Sequence, residues 1–246
     1  MTGFNINIRD KMFPIKVGNN EKKNVIFKNF DLKIPTGELI CIFGPSGCGK
    51  TTLLNIVAGL DNKFNGFITY NKKISEEKIS YLFQAPRLFP WLTAQENIEF
   101  PIKKEKNCKK ISNNLLEKIG LKKFANSFPN KLSGGMQRRI ALARAFSTNP
   151  KVLLLDEPFI SLDNKIADQL RRLLVSLWKQ KKPIIIFVTH DLNEAIQLSD
   201  RILFLSNLPA KILLDYKINI KRPRKINSAA VSSLKRLLSA SVRSIR

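Results

Sequence analysis

Leu39-Ile40-Cys41-Ile42-Phe43-Gly44-Pro45-Ser46-Gly47-Cys48-Gly49-Lys50-Thr51 is the stretch on which the fold turns. Residues 39–43 are a continuous apolar run of strand length, the pattern of a strand buried on both faces. The run enters a glycine-rich loop, and Leu53, Leu54, Ile56 and Val57 follow at helical spacing. Strand, glycine loop and helix form the context that a phosphate loop requires. The glycines let the backbone curl so that successive N–H groups point inward around α- and β-phosphates. Lys50 reaches the β/γ oxygens and Thr51 supplies a hydroxyl to Mg²⁺.

Outward from that loop, buried strands alternate with helical patterns. Val152-Leu153-Leu154-Leu155 is a second apolar run, and it ends in Asp156-Glu157. An aspartate at such a strand end is placed for a metal shell. Two adjacent carboxylates beside a polyphosphate repel each other unless Mg²⁺ neutralises one and the other polarises the attacking water. Ile184 to Val188 is a third buried run, followed closely by His190, the only histidine of the chain. There it can donate to a γ-phosphate and orient Glu157. Gln84, just past the strand-like residues 79–83, carries an amide able to bind metal or water.

Between residues 86 and 129 helical spacing replaces alternation, with Ile111, Leu115, Leu116 and Ile119 on one face. Ile166, Leu170, Leu173, Leu174, Leu177 and Trp178 predict a further amphipathic helix. Residues 24–37 read as a strand and turn, which predicts an antiparallel start. The class expected is therefore α/β, with a mainly parallel sheet core, an antiparallel N-terminal part and an inserted helical subdomain at about 86–130. All of residues 1–246 fall in one domain on this reading. Leu132-Ser133-Gly134-Gly135-Met136-Gln137 adds a second helix start rich in bare backbone N–H groups, where another phosphate can dock.

The 43 Lys and Arg against 19 Asp and Glu give a formal charge of +24. Such an excess suggests nucleic acid or an anionic surface. Lysine is spread through the chain together with Asn and Ile, however, which reads as compositional bias instead of a dedicated patch. The tail, about 217–246, is the local exception: it is basic and has no acidic residue, so contact with lipid headgroups is a minor expectation. Cys41, Cys48 and Cys108 lack metal-ligand spacing and read as free thiols. No window reaches the roughly 18 apolar residues of a membrane span. The first ten residues do not have the pattern of a secretory signal, so the chain is expected to stay in the cytoplasm.

Residues 44–51, Gln84, 132–137, Asp156-Glu157, Ser161-Leu162-Asp163 and His190, in this order, resemble the ATP-binding subunit of an ABC transporter over nearly the whole chain. The resemblance implies a phosphate-loop NTPase of ABC type with ATP and Mg²⁺ as cofactors. It implies ATP contacts at Gly44, Pro45, Ser46, Gly47, Cys48, Gly49, Lys50, Thr51, Thr52 and Gln84, and metal ligands at Thr51, Gln84 and Asp156. Glu157 would be the catalytic base, assisted by His190 and Lys50. Leu132, Ser133, Gly134, Gly135, Met136 and Gln137 would close over the ATP of a partner copy, and Ser161, Leu162 and Asp163 would form the D-loop. Phe13 is the candidate for stacking on adenine, although the polar stretch 18–24 blurs that alignment.

The segments Leu88-Phe89-Pro90-Trp91-Leu92-Thr93, Asp156-Glu157-Pro158-Phe159, Leu177-Trp178, Thr189-His190-Asp191 and Arg222-Pro223-Arg224 are similar to importers of nitrate, sulfonate, taurine or bicarbonate. That branch implies a homodimer of ATPase subunits, peripheral on the cytoplasmic face of the cell membrane. Its partners would be integral permease subunits, docked at the helical subdomain, and indirectly a solute-binding protein. The rival reading is a soluble ABC ATPase acting on nucleic acid or the ribosome. Such proteins resemble two fused units or one split by a coiled coil, and this chain has one unit and no heptad run, so no nucleic acid is expected.

Overall fold

In the first strand, Phe4, Ile6 and Ile8 are buried while Asn5 and Asn7 between them are partly exposed, the period-two pattern of a half-buried strand. The computed structural model describes residues 2–17, 20–70 and 78–245. The chain divides into two units, one of Met1–Glu76 with Ile184–Arg246 and one of Glu77–Pro183.

The first unit opens with β1 (Thr2–Val17) paired antiparallel to β2 (Asn20–Pro35), and β4 (Asn65–Tyr70) pairs on the other side of β1. The antiparallel start thus begins well before residue 24, where the sequence placed it. A register shift between Lys11 and Met12 interrupts the β1–β2 ladder. Gly18 and Asn19, part of the polar stretch noted above, lie outside the described residues.

The parallel part of this unit is built on β3 (Leu39–Phe43), flanked by β7 (Ile184–Thr189) and β8 (Arg201–Leu205), with β9 (Ile212–Lys217) antiparallel on β8. All six residues of β7 are buried, which is why it is a continuous apolar run. Phe43 is in register with Thr189, so two neighbouring parallel strands end level with each other. The phosphate loop leaves one of these ends and His190 the other, at the carboxyl edge where open α/β sheets bind ligands. Helix α1 (Lys50–Val57) follows the loop and buries Leu53, Leu54, Ile56 and Val57.

In the second unit β5 (Ile79–Leu82) runs parallel to β6 (Val152–Asp156), which is buried throughout. Helices α2 (Ala94–Glu99) and α3 (Cys108–Lys118) lie within residues 86–130, and both pack with α4 (Gly134–Ser147). Thr93 and Glu96 close α2 with a reciprocal capping box. Asn97, fully buried, accepts from the amide of Phe89 and donates to the carbonyls of Phe89, Leu92 and Thr93, which fixes the loop before the helix. Helix α5 (Asn164–Lys181) starts on the cap Asp163 and ends at Lys182 in the left-handed region, with Leu170, Leu174, Leu177 and Trp178 buried.

In the first unit, α6 (Leu192–Leu198) follows β7 and α7 (Ala229–Ile245) ends the described chain. Val231, Leu234 and Leu238 of α7 are buried. No helix among the described residues is long and apolar enough to cross a membrane. The α/β class, the parallel strands and the antiparallel start are those the sequence implied.

Candidate nucleotide site

The phosphate loop is shaped by close packing from β2. Gly49 caps α1 at φ 98°, and a Cβ there would lie 2.6 Å from Ile26 Cγ2 and 3.2 Å from the ring of Phe27. Only glycine fits both the angle and the gap. No side chain caps the start of α1, whereas Thr93, Ser133, Asp163 and Asp191 each accept from an amide of their own helices. A helix start of that kind, with its positive dipole end, suits an anion. Lys50 is 5% exposed, and its Nζ donates to the carbonyls of Gly44 at 2.9 Å and Pro45 at 2.8 Å. Ser46, Gly47 and Thr51 are exposed on the loop, and Thr52 is partly so.

Cys48 belongs to this loop but turns inward. It is 2% exposed, and burial pushes its thiol up, with Lys50 opposing that shift in part. The thiolate is the reactive form. Maleimide is therefore expected to modify the less buried Cys108 first, and Cys48 slowly and with loss of nucleotide binding. Mass spectrometry of timed digests with and without ATP checks this, and equal rates at the two cysteines would contradict it.

Phe13, the adenine candidate, lies on β1 with 40% of its surface exposed. The Nζ of Lys11 sits 4.4 Å from its ring centroid. That ammonium is itself buried, paired with Asp61 at 2.6 Å and donating to the carbonyl of Lys63 at 2.9 Å. One face of the ring is thus held by a cation anchored to the segment beyond α1. No signal in the sequence singled out Lys11 or Asp61.

In the second unit, Asp156 is buried at the end of β6, and the hydroxyl of Tyr81 lies 3.5 Å from its Oδ2. Burial, with the Asp156 charge second, pushes that phenol well above its usual range, so it stays protonated and a donor. Glu157 is half-buried with φ 42°, and Ser161 has φ 58°. Such angles are uncommon for residues other than glycine and gather at functional turns. Between them Arg138 donates to the carbonyl of Pro158 at 3.2 Å and Phe159 is buried. Leu162 is partly buried, and Asp163, exposed, caps α5 by accepting from the amide of Ile166 at 2.9 Å.

Gln84 is exposed just past β5, and Phe83 before it stacks on Tyr81 at 4.2 Å. Arg144 of α4 donates to the carbonyls of Pro86 and Arg87, pinning the segment after Gln84. Of the residues 132–137, Ser133 and Gly134 are exposed and Leu132 and Gly135 are buried. A Cβ on Gly135 would stand 2.8 Å from Ile166 Cγ2, so α4 can approach α5 only with glycine there. Ser133 Oγ accepts from the amide of Met136, which is itself half-buried. Gln137 turns its amide back onto the carbonyls of Pro129 and Leu132 and so holds its own loop.

His190, in the first unit, is exposed. The residues around it are tightly held: Thr189 donates to Glu194 at 2.7 Å in a buried pair and accepts from the amide of Asp191, whose carboxylate caps α6. Thr189 was part of the segment Thr189-His190-Asp191 read from the sequence, but no motif indicated its buried partner Glu194.

A phosphate loop on α1, a carboxylate pair closing a buried strand and a glycine-rich cap on α4 define a nucleotide-binding ATPase. The sequence pattern of the ABC transporter family matches residues 27–160, and the chain belongs to that family. It is an ABC-type ATPase. The chain is 42% identical over 215 residues, 86% of each chain, to the aliphatic sulfonates import ATP-binding protein of a Bacillus cereus strain. It is 40% identical over 223 residues, 89% of this chain and 86% of the relative, to the protein of that name in Bacillus subtilis (strain 168). Among solved structures, a dimeric ATP-binding cassette in a post-hydrolysis state bound to ADP and Pi matches with a TM-score of 0.74 and 32% identity, covering 89% of this chain and 100% of that one.

Proposed function

We propose that this chain is the ATP-hydrolysing subunit of an importer for aliphatic sulfonates, acting as a homodimer on the cytoplasmic face of the membrane with integral permease subunits and, indirectly, a solute-binding protein. The observation that carries the cargo is the 40–42% identity to sulfonate import ATP-binding proteins across most of both chains. That identity also favours transport over a role on nucleic acid. The permease subunits would dock on the helical part at about 86–130, next to Gln84.

The proposed chemistry follows from the residues. Arriving phosphate oxygens would take Lys50 from the carbonyls of Gly44 and Pro45 and exchange neutral hydrogen-bond acceptors for charged ones. The remaining loop residues, Ser46, Gly47, Cys48, Gly49, Thr51 and Thr52, would cradle the phosphates, and Phe13 would take the adenine on its ring. The hydroxyl of Thr51, the amide of Gln84 and the carboxylate of Asp156 are hard oxygen donors of the kind Mg²⁺ accepts, few enough to leave room for phosphates and water. That ion would supply neutralisation of phosphate charge. Glu157 would take the proton of the attacking water, with His190 beside the γ-phosphate. Ser133 and Gly135 of one copy would close over the ATP of the other, and Ser161, Leu162 and Asp163 would line the dimer seam.

The test is uptake. The chain, its permease and its binding protein in liposomes loaded with ATP are expected to accumulate labelled ethanesulfonate and to leave nitrate and bicarbonate outside. Accumulation of nitrate without sulfonate would refute the cargo. ATP turnover by the complex that supports no uptake of any of the three would refute import.

A further inference from the structure

The tail motif Arg222-Pro223-Arg224 does not face solvent as a basic patch would. Arg224 is 7% exposed, and its guanidinium donates to the carbonyls of Ile196 at 2.7 Å, Ser199 at 2.6 Å and Ile220 at 2.7 Å. Arg222 donates to the carbonyl of Leu198 and pairs with Asp200 at 2.7 Å. The carbonyls of 196, 198 and 199 belong to the last turn and cap of α6, where a helix leaves acceptors without internal partners and carries its negative dipole end. Two guanidiniums therefore finish a helix of only seven residues. Burial, and then the neighbouring Arg222 charge, push Arg224 down to about 10, so it remains a cation at neutral pH.

The same knot holds the start of β3. Asp200, paired with Arg222, accepts from the amide of Leu39 at 3.1 Å, and its own amide donates to the carbonyl of Leu39 at 2.6 Å. The far end of β3 is the phosphate loop. The far end of α6 is Asp191, whose cap and amide tie through Thr189 to Glu194. His190 thus stands directly before the cap of a short helix held at both ends, and one of the two clamps comes from the tail.

We propose that Arg222 and Arg224 are positioning residues for His190, acting through α6: they fix the carboxyl end of the helix whose amino end presents the imidazole. The inference rests on the role given to His190 above for its effect on catalysis, but not for its effect on position.

Because His190 is the only histidine, histidine labelled with ¹³C gives a single Cε1–H resonance in the full chain. Arg224→Gln is expected to shift or split that resonance, and to lower kcat about tenfold with the KM for ATP within about twofold. Arg224→Lys, which keeps charge but loses the planar fork, is expected to fall between the two. Lys221→Gln, a change at an exposed tail residue, serves as the control and should leave the resonance in place. The indole resonances of Trp91 and Trp178 report whether the rest of the fold is kept, and Arg224→Lys carries the test if the glutamine variant does not fold. An imidazole resonance that superimposes on the wild type in both variants would overturn the proposal. A shifted resonance with unchanged kcat would support the clamp and refute instead the catalytic role of His190.

Discussion

Glu157→Gln is expected to lower steady-state ATP turnover by about 10²–10⁴-fold, the range for loss of a positioned general base, while leaving ATP binding intact. The substitution is clean at this site. Glu157 holds φ 42°, and glutamine tolerates that angle about as well as glutamate does, so no new strain is introduced. Glutamine also preserves the shape of the turn toward Ile160, whose amide donates to the carbonyl of residue 157 at 3.3 Å. What disappears is the charge and the basic oxygen. Binding without turnover should hold two copies together around uncleaved ATP, visible as a dimer on size-exclusion chromatography in Mg-ATP. Turnover within twofold of the wild type would remove Glu157 from the role of base.

Ser133→Arg is expected to leave ATP affinity of the monomer within about twofold, yet to abolish ATP-driven dimerisation and cut turnover by about 100-fold, the scale for loss of one preorganised donor set at a developing charge. Ser133 is exposed at the start of α4 and accepts from the amide of Met136. Arginine there costs the cap, about 1 kcal/mol, and sets a cation on a positive helix end for a few tenths more. Neither cost approaches the stability of a domain of this size. Ser133→Asn retains a capping acceptor and adds no charge, so it separates loss of the cap from obstruction of the partner's nucleotide. Dimers of the arginine variant in Mg-ATP would show that residues 132–137 do not close across subunits.

Much of the fold was legible because its central strands are apolar without interruption. β3, β6 and β7 are buried on both faces, and no polar residue breaks the run that shows it. β1 was harder to read. Its inward set, Phe4, Ile6 and Ile8, alternates correctly, but Arg9 to Lys11 and Pro14 break the pattern where the ladder shifts register. The phosphate loop and the residues 132–137 were readable since glycine is demanded there, by backbone angle at Gly49 and by the close approach of Ile166 at Gly135. Their supports were not. Lys11 beneath Phe13, Tyr81 beside Asp156 and Arg144 on the segment after Gln84 act through contacts between different segments, and a lysine, tyrosine or arginine carries no spacing that announces such a partner. Arg222-Pro223-Arg224 stood out as text, but its task became readable only with the end of α6 in place.

The lysine of the phosphate loop bears on how any inactive variant of this protein should be read. With its ammonium folded onto the carbonyls of Gly44 and Pro45, Lys50 is a structural strut of the loop as well as the proposed ligand for phosphate. Replacing it with methionine would strand the buried carbonyl of Gly44 and leave that of Pro45 with only the amide of Cys48 at 3.4 Å. A binding-dead Lys50→Met protein would therefore report collapse of the cradle and loss of the charge together. Conclusions about hydrolysis should be drawn from variants such as Glu157→Gln, in which the receptacle for the nucleotide stays built.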